Sequence, residues 1–200
     1  MEKINWIQVI SGFLVGLSGI LIKQFLDNKK SRIQPIAKSI EVKSFYDSKN
    51  NDILNSKVTF TESGKEYKFS NLYTGTIKIT NSGSADYKDF VFGITASENI
   101  NFIHVKPNSN DRHHFVEISD LPSLENQINY FDVSLKPFNR KDTYTLDVLL
   151  TASEVVLSEN DIKMSTSQPI KWTDLNSTTN KTVNEILNTI IKESIIIQIR

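Results

Sequence analysis

Cysteine is absent from the 200 residues. That excludes a disulfide framework, a thiolate zinc site and a cysteine nucleophile, and leaves the compartment open. Net charge is absent too: 23 basic residues balance 23 acidic ones. Such balance argues against a broad nucleic-acid-binding surface, and no nucleic-acid partner is expected. Glycine is scarce at seven, and Gly12, Gly16 and Gly19 lie in one apolar run, so little remains for a phosphate-cradling loop. No Gly-x-Ser-x-Gly elbow and no His-Glu-x-x-His helix occurs. The carboxylates are scattered over turns and strand exteriors, without a recognisable acid–base pair. No catalytic residue, cofactor or metal cage is expected, and the reading is non-enzymatic.

What is present begins at the N-terminus. Ile4 to Ile22 is uncharged, and Phe25 and Leu26 extend the apolar element. About 23 residues at about 1.5 Å each are enough to cross a hydrocarbon core as one helix. Glu2 beside Lys3, the length of the run and the lack of a small-residue cleavage pattern favour an uncleaved anchor over a signal peptide. Lys23, Lys29, Lys30, Arg32 and Lys38 follow the run, against Lys3 before it. This bias places the bulk of the chain in the cytoplasm, as a single-pass membrane protein with lipid among its partners. A signal anchor carrying an exported domain is the opposite topology.

Asn5, Gln8, Gly12, Gly16, Gly19 and Lys23 fall on one helical stripe. Small residues four apart let two backbones approach, and amides in register hydrogen-bond across helices. Gly12, Gly16 and Gly19 are therefore a candidate surface for homo-oligomerisation. Glycine is also frequent in membrane helices for no such purpose.

Four segments are expected: an anchor over 1–27, a basic juxtamembrane linker over 28–38, a β-sandwich over 39–175 and a linker with an amphipathic helix over 176–200. Between Ile36 and Trp172 short alternating runs recur, such as Thr76–Thr80, Asp89–Thr95, Asn101–Val105, His114–Ile118, Ile128–Val133 and Tyr144–Leu150. No helix-period segment interrupts them, which predicts a mainly β, antiparallel sandwich rather than a doubly wound α/β fold. Ile77, Ile79, Phe90, Phe92, Ile94, Leu146 and Val148 are its expected core. Thr182-Val183-Asn184-Glu185 has the form of a capping box and predicts a short C-terminal helix. The β-branched end, Ser194 to Arg200, adds a second candidate surface for association, or an element docked on the sandwich. Asn176 and Asn180 match the glycosylation pattern, which matters only for an exported eukaryotic domain.

All three histidines lie between His104 and His114, with Lys106 and Arg112. If 100–105 and 114–118 pair as a hairpin, His104, Lys106, Arg112, His113 and His114 form a candidate binding site for an anionic ligand. The consecutive His113 and His114 face opposite ways in a strand, which weighs against a metal cage. The same residues also read as a solvated basic loop.

Ile77 to Gly83 followed by Asp89 to Phe92 resembles the hairpin of bacterial immunoglobulin-like domains. Leu135-Lys136-Pro137 ahead of Tyr144 to Val148 resembles their corner before a strand. The resemblance spans about residues 72–151 and implies an immunoglobulin-like fold, with no activity attached. In outline the layout is also similar to small transmembrane effectors of bacterial anti-phage signalling. That similarity implies a membrane-anchored recognition and effector module binding a protein or small ligand. The alternative is an exported cell-envelope adhesion or scaffolding domain.

Overall fold

The computed structural model describes residues 33–47, 57–62, 64–108, 112–153, 157–175 and 196–199, together with Gly19, Ile22 and Lys23. Twelve strands are found among them: β1 (Gln34–Asp47), β2 (Val58–Glu62), β3 (Lys65–Phe69), β4 (Asn71–Asn81), β5 (Phe90–Ala96), β6 (Ile100–Pro107), β7 (Phe115–Ile118), β8 (Tyr130–Lys136), β9 (Thr143–Ala152), β10 (Ile162–Ser165), β11 (Ile170–Asp174) and β12 (Ile196–Ile199). Five of them form a sheet in the order β11-β1-β4-β9-β6, and four form a second in the order β10-β5-β8-β7. Every pairing is antiparallel except β1 with β11.

Alternation decides which side chains meet between these sheets. In β5, Phe90, Phe92 and Ile94 point inward and are buried, while Val91 and Thr95 point outward and are exposed. In β9, Leu146, Val148 and Leu150 point inward, facing Phe131, Val133 and Leu135 of β8 across the core. All seven expected core residues are buried in this one cluster. Each large apolar side chain removed from water contributes about 1.5–3 kcal/mol. Trp172 of β11 packs edge-on against Phe90 and Phe92, with centroids 6.2 and 6.1 Å away.

A third sheet, β12-β2-β3, lies over part of the outer face of the five-stranded sheet. Phe60 and Phe69 meet edge to face at 5.6 Å and pack with Leu72, Ile103 and Leu149, the outward residues of β4, β6 and β9. A register shift between Phe102 and His104 turns both Ile103 and His104 away from the main core.

Residues 196–199, in the β-branched end expected to associate or to dock on the sandwich, form strand β12, paired antiparallel with β2. The expected C-terminal helix lies outside the described residues. Two expectations change. The first strand starts at Gln34, so residues 34–38 of the expected linker belong to the sandwich. Residues 100–105 and 114–118 do not pair with each other: β6 pairs with β9, and β7 with β8. Each strand is bound where its apolar face meets the core, and the chain passes from one sheet to the other between β6 and β7.

Gly19, Ile22 and Lys23 are helical and exposed. The expected anchor, with Gly12 and Gly16, otherwise lies outside the described residues. Among those described, no helix is long and apolar enough to cross a membrane.

Candidate functional site

The five sequence-predicted site residues are divided among three places. His104 and Lys106 stand on the outward face of β6. There Lys106 aligns with Asp147 of β9, Thr76 of β4 and Glu41 of β1, one polar residue per strand. Asp147 is fully buried; its Oδ1 accepts from the Thr76 hydroxyl at 3.1 Å and its Oδ2 from Asn108 Nδ2 at 3.2 Å. Burial holds His104 below the ordinary imidazole range, helped by the positive charge of Lys106 and opposed by Glu62. His104 is thus biased toward the neutral ring beneath the edge of the small sheet.

His114 belongs elsewhere. Its Nε2 is 3.1 Å from Oδ2 of Asp142, and its ring meets Tyr144 edge-on at 5.2 Å. The same Asp142 oxygen accepts the Asn139 backbone N–H at 2.7 Å. Tyr144 donates its hydroxyl to the Pro137 carbonyl and closes the corner between β8 and β9. His114 therefore braces a corner, while Arg112 and His113 sit exposed on the turn before it. The structure brings His104 together with Lys106, and separates both from His114. Among the described residues no group of three or more His, Asp or Glu could hold a metal ion.

A different place offers room. A cleft of about 580 Å³ opens at the edge of the sandwich, where β11 and β1 of one sheet face β10 of the other. Its floor is Ile40, Ile162 and Met164, the ends of the main core. Lys38 and Lys163 stand on its rim with Glu159 and Asp174. An apolar floor beneath opposed charges suits an amphipathic small molecule or a side chain of a partner, and the volume is in the range of ligand sites.

Local sequence explains its position. Lys38 points toward the core side of β1 but lies at the sheet's border, where its ammonium reaches water. Ser158 caps the 3-10 turn Glu159–Asp161, with Asp161 Oδ2 accepting from the Ser158 backbone N–H at 2.8 Å and from its hydroxyl at 2.9 Å. Those bonds hold the Asp161 carboxyl below the usual carboxylate range. Sequence reasoning missed this cleft because β10 and β11 are only four and five residues long, too short for their alternation to stand out, and because the cleft needs β1 as its third wall.

Comparison with protein-family models, with curated proteins and with solved structures matches this chain to none of them.

Proposed function

We propose that the chain is a non-enzymatic, membrane-anchored recognition module. The sandwich binds a protein or small ligand at the open-edge cleft, and the N-terminal helix assembles protomers through Gly12, Gly16 and Gly19. The single observation that carries the reading is the cleft itself, with its apolar floor of Ile40, Ile162 and Met164 under the charged rim of Lys38, Lys163, Glu159 and Asp174. The sandwich is of the immunoglobulin-like kind on this reading. The tyrosine bonded back to the corner carbonyl and the crossing of the chain from β4 to β5 between sheets support it. The basic residues after the anchor support a cytoplasmic placement, in which ligand binding triggers clustering as in anti-phage effectors.

A photo-crosslinking side chain at Lys163 in the full-length protein, in its native membrane, tests recognition. A discrete adduct that disappears with Met164→Trp supports the cleft. An adduct pattern identical to that from Lys65 on the small sheet counts against it. A reporter active only in the cytoplasm, fused after Arg200, decides the side. Silence there with activity of an export-dependent reporter gives the envelope reading instead. Association unchanged by Gly12→Ile with Gly16→Ile removes the glycine stripe.

A further inference from the structure

The two ends of the sandwich differ in charge. One end is where β1 starts. The registers Gln34 with Ile170, Ile36 with Asn81 and Thr80 with Thr143 bring the loops after β4, β8 and β10 to that same end. These loops are tied to one another. Asn81 N–H donates to the Asp142 carbonyl and Lys141 N–H to the Asn81 carbonyl, at 3.0 and 2.9 Å, and Gln168 Nε2 reaches the Asp89 carbonyl at 3.2 Å. The turn before β7 joins them through His114 and Asp142.

Three cations project from this end: Lys88, Arg112 and Lys141, all exposed and, among the described residues, without an ion-pair partner. The described acids nearby are engaged. Asp86 binds Arg140 at 3.0 Å, Asp89 lies 3.7 Å from Lys136, and Asp142 meets His114. Phe115, at the start of β7 beside Arg112, is 61% exposed. The opposite end is richer in acids, although Lys65 pairs there with Glu125 at 2.7 Å and Lys68 stands near Asn99. Its described loops, 97–99, 119–129 and 157–161, carry Glu98, Asp120, Glu125, Glu159 and Asp161 and no lysine or arginine.

We propose that the end where β1 starts is a lipid-contact surface, on which Lys88, Arg112 and Lys141 seat against anionic headgroups while Phe115 enters the interfacial zone. This rests on the anchor reading for one point only, namely which bilayer lies there. On the anchor reading the chain enters the sandwich at Gln34, on this same end. Exposed cations there gain from the negative surface potential, an aromatic ring suits the headgroup level, and the acidic end is repelled outward. The sandwich stands upright on its anchor, with the open-edge cleft along its flank.

The absence of cysteine makes the test direct, because one introduced cysteine gives one labelling position. Full-length protein carrying a fluorophore at Ser167→Cys, near the lipid end, or at Asn99→Cys, at the acidic end, is reconstituted in vesicles of phosphatidylcholine with or without phosphatidylglycerol. Both contain a headgroup-linked quencher. The Ser167 position is expected to be quenched more in the anionic vesicles, with the excess lost in high salt and lost in the triple variant Lys88→Glu, Arg112→Glu, Lys141→Glu. The Asn99 position is expected to be equal in both. Equal quenching of Ser167 in both lipids, or a triple variant quenched like the parent while Trp172 emission reports an intact fold, overturns the proposal. Carbonate extraction from the neutral vesicles tests the anchor separately. A chain that is extracted yet still shows salt-sensitive quenching at Ser167 keeps the lipid surface and loses the anchor. A chain that resists extraction without that quenching keeps the anchor and loses the surface.

Discussion

Thr76 donates its hydroxyl to Asp147 Oδ1 across the β4–β9 ladder at 3.1 Å, on the outward face of the five-stranded sheet. Both residues are buried, and Asn108 binds the other carboxyl oxygen. Two residues before Thr76, Thr74 is equally buried, and its hydroxyl has no hydrogen-bond partner among the described residues. The two threonines share a strand face and differ in what stands opposite on β9: Asp147 for one, the apolar Leu149 for the other.

That difference predicts opposite outcomes for similar substitutions. Asp147→Ala strands the buried Thr76 hydroxyl and the part-buried Asn108 amide and is expected to cost about 2–3 kcal/mol, because an unmade buried hydrogen bond costs more than a made one contributes. Thr74→Val keeps the shape and removes an unsatisfied hydroxyl, and is expected to be neutral or to stabilise by about 1 kcal/mol. Urea midpoints of the two variants check this. A Thr74→Val protein as destabilised as Asp147→Ala contradicts the assignment.

Two glycines offer a second contrast. A Cβ on Gly75 would stand 2.9 Å from Val148 Cγ2 and 3.1 Å from the Glu41 carbonyl oxygen, inside the sheet. A Cβ on Gly93 would also stand 2.9 Å from its nearest atom, but that atom is Oδ1 of Asp132, the end of an exposed side chain. Gly75→Ala is therefore expected to cost about 1–3 kcal/mol through displacement of packed atoms and backbone. Gly93→Ala is expected to stay within about 0.5 kcal/mol, since Asp132 can turn aside. Thermal unfolding of both variants separates the cases, and equal losses would show that the Asp132 side chain is held in place.

The strands of the sandwich are legible in the sequence because alternation is local. Thr76 to Thr80 and Phe90 to Ile94 announce their inward faces without knowledge of any partner, and those faces are buried. Pairing is not local. Nothing within His114–Ile118 says that β8 rather than β6 will bind it; that choice follows from which sheet each apolar face closes. The candidate site suffered from the same cause. His104 and His114 are ten positions apart in sequence, yet one lies on β6 of the first sheet and the other just ahead of β7 of the second, whereas the cleft gathers Lys38 of β1 with Lys163 and Asp174 of β10 and β11, far later in the chain. Even the buried Asp147 reads as an ordinary outward position of β9, since only the adjoining strands and Asn108 close over it.

His104 supplies the last prediction. Burial, then Lys106, lower its pKa in the folded protein, with Glu62 pulling the other way. The unfolded imidazole titrates near its ordinary value of about 6.5. The folded state therefore binds fewer protons than the unfolded one between the two values, so stability rises with pH across that window. The contribution is fully present above about pH 6.5 and is lost as pH falls through the folded value. His104→Gln removes the titration while retaining a polar side chain of similar reach. The drop in urea midpoint between about pH 7.5 and pH 5.5 is expected to be smaller in His104→Gln than in the parent. An unchanged drop would mean that His104 is solvated in the folded protein and that the small sheet does not close over β6.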